Sequence, residues 1–294
     1  MIFTRERWVL LAEGFLARPL ALVALVVLAL LPILAAIAPW IAPQNPYDLA
    51  HVSIADGGLP PGSTNVAGTL VYVLGTDEAG RDMLSAILYG LRVSIGIGIA
   101  SAAIGAAIGT TVGLISAYAG GWLDTAIMRI VDLQLSFPSI LIALVLLALL
   151  GQGGDKILIA LVIVQWAYYA RTVRGSALVE LRRDYVDAAR SQGLPRRIIM
   201  FRHVLPNCMS PLIVILTVQT AHAIALEATL SFLGLGLPKT EPSLGLLIAN
   251  GYEFMLSNQY WISIFPGLAL LTLVLSINLV GDRLRDILNP RMEH

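Results

Sequence analysis

Residues 19–42 read PLALVALVVLALLPILAAIAPWIA, an uncharged run in which twelve positions between Leu20 and Ile37 are Leu, Ile or Val. A bilayer has a hydrocarbon core about 30 Å thick, and a helix needs about 20 apolar residues to cross it, because backbone amides in lipid must bond within their own segment. At roughly −0.4 kcal/mol for each aliphatic residue near the centre, the run favours insertion by about −5 kcal/mol before Pro32 is discounted. It is read as a transmembrane helix. The alternative is a cleaved leader with Ala36-Ile37-Ala38 as the small-residue cleavage site, but the run exceeds the roughly 7–15 apolar residues usual there.

The remaining chain has the same character. Of 294 residues 57% are hydrophobic and 13% charged, against about 45–50% and about 25% in soluble domains. Five further spans are read at 93–118, 134–150, 157–170 (with a possible extension past Arg171), 206–232 and 261–281, the last with Tyr260 and Trp261 as interfacial anchors. The fold class is therefore all-α with six transmembrane helices. Within the second span Ser101, Gly105, Gly109, Gly113 and Ala117 recur every fourth residue, a small-residue stripe that lets another helix approach closely. Residues 122–133, with Asp124, Arg129 and Asp132, read as a surface helix leading into the third span.

Six spans put both termini on one side. Of the 19 Lys and Arg, only Arg81, Arg92, Lys156 and Lys239 fall on the opposite side, so the positive-inside rule makes both termini cytoplasmic. The layout is then a cytoplasmic segment 1–18, the first helix 19–42, an extracytoplasmic loop 43–92, a five-helix core 93–281 with an inner loop 171–205, and a cytoplasmic tail 282–294. The loop 43–92 shows no obvious apolar core. Near its end Thr76 is read as an N-cap, followed by Asp77 and Glu78. Leu84, Ile87, Leu88 and Leu91 then give residues 81–92 one greasy face. This is either an amphipathic helix on the outer membrane surface or an extension of the second span.

Several chemistries are excluded. Nineteen basic against 19 acidic residues leave no excess for nucleic acid. A lone Cys208 and four scattered histidines offer no metal site. The chain has no G-x-x-x-x-G-K-[ST], so it lacks that phosphate-cradling loop.

The sharpest local signal is YVDAARSQGLP at 185–195, followed by RRIIMFRHVLPN at 196–207. Helix formers precede Gly193, with apolar residues at Leu178, Leu181, Tyr185 and Ala188. Gly193 suits a left-handed cap and Pro195 the opening of a second helix, on which Ile198, Phe201 and Leu205 share a face. The reading is helix, sharp turn, helix. From spacing alone, it is either a knob that docks into a partner or a solvated basic loop.

The set Asp187-Ala188-Ala189, Gly193 and His203-Val204-Leu205-Pro206 resembles the EAA loop of ABC-importer permeases. LGTDEAGRDMLS at 74–85 with Tyr89-Gly90 and Arg92, Met128-Arg129 with Asp132 and Phe137-Pro138, and EATLSFLGLG at 227–236 before PSLG at 242–245 are similar to the second permease subunit of the peptide, opine and nickel uptake family. Asp187 departs from the usual Glu, keeping the charge on a shorter side chain.

The resemblance implies a type I ABC-importer permease fold in a bacterial inner membrane. It implies four kinds of neighbour: a homologous second permease, two cytoplasmic ATPase subunits, an extracytoplasmic solute-binding protein, and lipid. ATP and Mg would sit on the ATPase subunits, with no cofactor on this chain and no catalysis by it. The solute would be a dipeptide or oligopeptide, with nickel chelates, opines and glutathione-like peptides as alternatives. The ATPase-coupling residues carried over are Tyr185, Val186, Asp187, Ala188, Ala189, Gln192, Gly193, Leu194, Arg196, Arg197 and Ile198. His203, Leu205 and Pro206 would order the exit of the loop.

Intramembrane polar groups are functional candidates by default. Glu227 is the only acid in an expected span and shares a helical stripe with Thr217 and Thr220. Its expected role is a structural hydrogen bond, with pathway lining as the alternative. Thr220, Gln219 and His222 share the same two readings, pathway or structural, with interhelical packing favoured for Gln219 and His222, and Gly105, Gly109 and Gly113 are assigned to a packing face. An ion-coupled transporter would call for more buried ionisable groups and internal repeats. An intramembrane serine enzyme would call for a nucleophile motif such as G-x-S-x-G.

Overall fold

The computed structural model describes residues 13–48, 52–238, 241 and 243–288. Arg5, Arg7, His51, Lys239, Pro242 and His294 lie outside them. Among the described residues, five helices are long and apolar enough to cross a membrane: α1 (Pro19–Ile41), α2 (Met83–Ala119), α5 (Gly154–Glu180), α7 (Met209–Phe232) and α9 (Trp261–Leu288). The pair α3 (Gly121–Ser136) and α4 (Ser139–Leu150), meeting at 91°, makes a sixth candidate span that is either broken or re-entrant. Two shorter helices are α6 (Asp184–Ser191) and α8 (Leu244–Tyr252).

The third span therefore departs from a straight helix over 134–150. Phe137 is extended and Pro138 caps α4, since a residue before proline is pushed out of the helical region. Alone, α4 has 12 residues, about 18 Å of helix and too short to cross. Gln134 stabilises the bend by donating to the carbonyls of Ile163 and Val164 in α5. Ion pairs from Arg174 to Asp124 and from Arg171 to Asp132 fasten α3 along α5.

The separate surface helix over 81–92 is not formed. Residues 83–92 are the first turns of α2, whose 37 residues make about 55 Å of helix, well beyond a core of about 30 Å. Its N-cap is Asp82, accepting from the backbone N–H and hydroxyl of Ser85 at 2.8 and 2.6 Å. Thr76 is not a cap. It is fully buried, donating to the Asp56 carbonyl at 2.6 Å and accepting from the Leu59 N–H at 2.8 Å.

These bonds belong to a lobe that sequence periodicity did not suggest, because its centre is polar. A short hairpin pairs β1 (Ser63–Thr64) with β2 (Val71–Tyr72). The buried Asp56 carboxylate accepts from the Val66 N–H and the Tyr72 hydroxyl at 2.8 and 3.1 Å. Trp261, expected at the lipid interface, is instead 6% exposed and donates its indole N–H to the Thr76 carbonyl at 3.0 Å. The lobe is thus hydrogen-bonded to the start of α9.

The most extensive helix–helix contact is between α2 and α5. A Cβ on Gly109 would collide with the Trp166 carbonyl, and one on Gly113 with the Ala170 carbonyl; Gly105 faces the Gln165 Cβ and the Tyr169 ring. The small-residue stripe is consumed within this chain, and α5 runs unbroken past Arg171 to Glu180.

Candidate functional site

The hairpin grows from the end of α5. After Glu180 the helix breaks at 181–183, and α6 begins with Asp184 and Asp187 in its first turn, where acids suit the helix dipole. At its far end the Leu194 N–H bonds the Ala189 carbonyl at 3.2 Å and the Gly193 N–H bonds the Arg190 carbonyl at 2.9 Å. Gly193 has φ +71°, and nothing lies within 4 Å of a Cβ placed there. Glycine is therefore required by backbone conformation rather than by crowding, as in a Schellman cap.

Pro195 leads into a helical turn, Arg196–Ile198, followed by a π-helical stretch, Ile199–Val204, and a last turn, Leu205–Asn207, before α7. The π stretch inserts extra backbone per turn and shifts the face that points inward. Val186, Ala189, Ile199 and Val204 are buried together with Val173 and Ala177 of α5, Leu114 of α2 and Leu212 of α7.

The apolar pattern is therefore displaced from the one the spacing suggests. Leu178 and Leu181 are half-buried, whereas Tyr185, Ala188, Ile198 and Phe201 are exposed. The break at 181–183 restarts the helical phase. Asp187, Gln192, Gly193, Arg196 and Arg197 also face outward, with Leu194 half-buried. The outer face thus combines apolar groups with arginines.

Two limbs of the hairpin meet at Tyr185. Its hydroxyl donates to Glu180 at 2.6 Å and accepts from the Asn207 amide at 3.1 Å. Asn207 also donates to the His203 carbonyl at 2.8 Å. Burial, then the Glu180 carboxylate, push the Tyr185 phenol up to about 12. Arg196 lies 5.8 Å over the Tyr118 ring near the end of α2, an arrangement that favours a cation. Leu205 and Pro206 are half-buried in the last turn. Glu180, Asn207 and Tyr118 were missed from sequence, because single contacts made across the hairpin leave no periodic signal.

At the opposite end of the bundle Glu227 is fully buried. Its carboxylate accepts from Ser94 of α2 and Ser231 of α7, both at 2.8 Å. Ser94 also accepts from the Leu244 N–H at 3.4 Å, and Ser243 caps α8. One carboxylate therefore ties together α2, α7 and the start of α8. Thr217 and Thr220 instead donate to carbonyls of their own helix. His222 lies 3.4 Å from the Ser139 hydroxyl of α4, while Gln219 is buried with its amide nitrogen unpaired. Among the described residues, no group of three His, Cys, Asp or Glu could hold a metal ion.

A family model described as "Binding-protein-dependent transport system inner membrane component" matches residues 109–294. The chain belongs to that family. A second model, the N-terminal TM domain of oligopeptide transport permease C, matches residues 7–61. The chain is 39% identical over 290 residues to the di/tripeptide transport system permease protein of Pseudomonas aeruginosa, covering 99% of this chain and 93% of that protein. It is 38% identical over 261 residues to the glutathione transport system permease protein of Pectobacterium atrosepticum, covering 89% and 84%. The inward-facing MetNI methionine ABC transporter matches with TM-score 0.57 and 20% identity, over 70% of this chain and 97% of that one. The permease is thus a multi-pass inner-membrane subunit of a binding-protein-dependent ABC importer, with a type I importer fold.

Proposed function

We propose that this permease carries short peptides inward and that its 181–208 hairpin is where a separate ATPase subunit drives it. The observation that carries the reading is the two-sided hairpin. One side is buried among α2, α5 and α7, while the other presents Tyr185, Ile198 and Phe201 beside Gln192, Arg196 and Arg197. A rigid projection rooted in the bundle transmits displacement, whereas a loosely tethered loop would absorb it.

ATP shifts the balance between inward-open and outward-open states only by binding one arrangement better than the other. The hairpin is where that preference reaches the membrane helices. Hydrolysis belongs to two ATPase subunits with their Mg and ATP, since this chain lacks the phosphate-cradling loop. The excess of Lys and Arg on one side supports placing both termini and the hairpin in the cytoplasm. A homologous second permease completes the pathway, and a binding protein delivers solute at the opposite face. Glu227 acts as a clamp at that outer end.

Peptide as the solute is supported by relatives named for di/tripeptide and glutathione transport. The test is uptake of a labelled tripeptide into vesicles holding the reconstituted importer. Uptake strictly dependent on ATP and on the ATPase subunits is expected; uptake that persists without them overturns the reading.

A further inference from the structure

A cavity of about 480 Å³ lies where the outer turns of α2 meet the start of α5, Leu237 and Glu241. Its walls include Tyr47 and Tyr89, whose rings meet edge to face at 5.2 Å, and its apolar floor is Val93, Ile97 and Leu237. Two groups of opposite charge, Arg92 and Glu241, also line it. We propose that this cavity receives short peptides with free termini, Arg92 taking the α-carboxylate and Glu241 the α-ammonium. The inference rests on the peptide reading above and adds a place on this chain where the peptide is held.

Three features carry it. First, the chemistry is matched at both ends: a guanidinium offers parallel N–H donors that fit a carboxylate, and a carboxylate accepts from an ammonium. Second, Glu241 stands beside the start of α5 and Tyr47 on the same rim. Its carboxylate oxygen lies 4.0 Å from the position a Cβ on Gly154 would occupy, and burial, followed by Glu241, raises the Tyr47 phenol above its ordinary range. Third, the volume falls within the roughly 300–1,000 Å³ of small-molecule sites. Arg92 and Glu241 are exposed, so each contact is screened by water and weak. Weak holding suits a site that must release its cargo onward.

The experiment uses the complete importer in lipid nanodiscs, without its binding protein. Saturation-transfer NMR is recorded with three probes: trialanine, its N-acetyl form and its C-terminal amide. The wild type is expected to bind trialanine best. Arg92→Gln is expected to weaken trialanine about fivefold and leave the amide unchanged, and Glu241→Gln to weaken trialanine similarly and leave the N-acetyl form unchanged. Arg92→Lys should restore most of the binding. Equal effects of both variants on all three probes, or no effect on trialanine, would overturn the site. ATP-driven trialanine uptake with the binding protein is measured in parallel on the wild type. Uptake without the NMR pattern removes the site alone, and absence of uptake removes the peptide reading with it.

Discussion

Glu227 and Ser94 are 133 positions apart in sequence and 2.8 Å apart in space, joined inside the bundle where α2 and α7 face each other. With Ser231 on the other oxygen, the fully buried carboxylate accepts from donors on two helices. Charge in a span is tolerated only when protein or water surrounds it.

Glu227→Ala removes the acceptor for two buried hydroxyls and leaves a void, which should cost about 2–4 kcal/mol of stability. Glu227→Gln keeps a carbonyl acceptor and should cost less than half as much. Thermal unfolding of the purified protein checks this, and equal losses for both variants would remove the clamp.

At Gly193, φ of +71° penalises any side chain, so Gly193→Ala should destabilise by about 1–2 kcal/mol. Gly193→Pro also deletes the N–H bonded to Arg190 and fixes φ at a negative value. That variant should still insert into membranes while losing substrate-stimulated ATP hydrolysis in the assembled importer. Full stimulation in purified complexes would contradict the assignment of the turn.

The Tyr185 phenol, pushed up to about 12 in the folded protein from its ordinary 10.0, gives a signed pH dependence. A raised phenol value means that the folded state holds the proton more tightly. Its contribution is complete below pH 10 and is lost as pH rises through about 12. The stability difference between wild type and Tyr185→Phe should therefore shrink across that window. Chemical unfolding at about pH 9, 10, 11 and 12, covering the window from about 10 to about 12, provides the check; a constant difference would argue against the Glu180 bond.

Cys208 is fully buried and its thiol is pushed up to about 11 by burial and then by Glu180. Thiolate is the reactive form. Maleimide should leave Cys208 unlabelled at neutral pH from either side of the membrane and react on denaturation. Rapid labelling of the native protein would show that the hairpin root opens.

The long apolar helices were legible because lipid imposes one rule, about 20 uncharged residues with internal backbone bonds. The Gly193 turn was legible because positive φ and a following proline leave few alternatives. Other features depended on distant partners. Pro138 is visible in the sequence, yet the 91° bend it allows is stabilised by Gln134 reaching α5. Thr76 looked like a cap because threonine before two acids is a local signature, but the Asp56 backbone and Leu59 claim its hydroxyl. The inward faces of the hairpin were displaced by the break at 181–183 and the π stretch, neither of which has a periodic signature. The lobe of 52–82 escaped notice because Asp56, rather than an apolar cluster, organises it.

The most direct measurement is site-specific crosslinking of the hairpin tip in the assembled importer. Gln192→Cys is exposed at the end of α6 and should form a disulfide with a cysteine placed in the cleft of an ATPase subunit, with a yield that changes between nucleotide-free and ATP-bound states. A tip that stays uncrosslinked in both states, while cysteines elsewhere on the same face react with that subunit, would contradict the account.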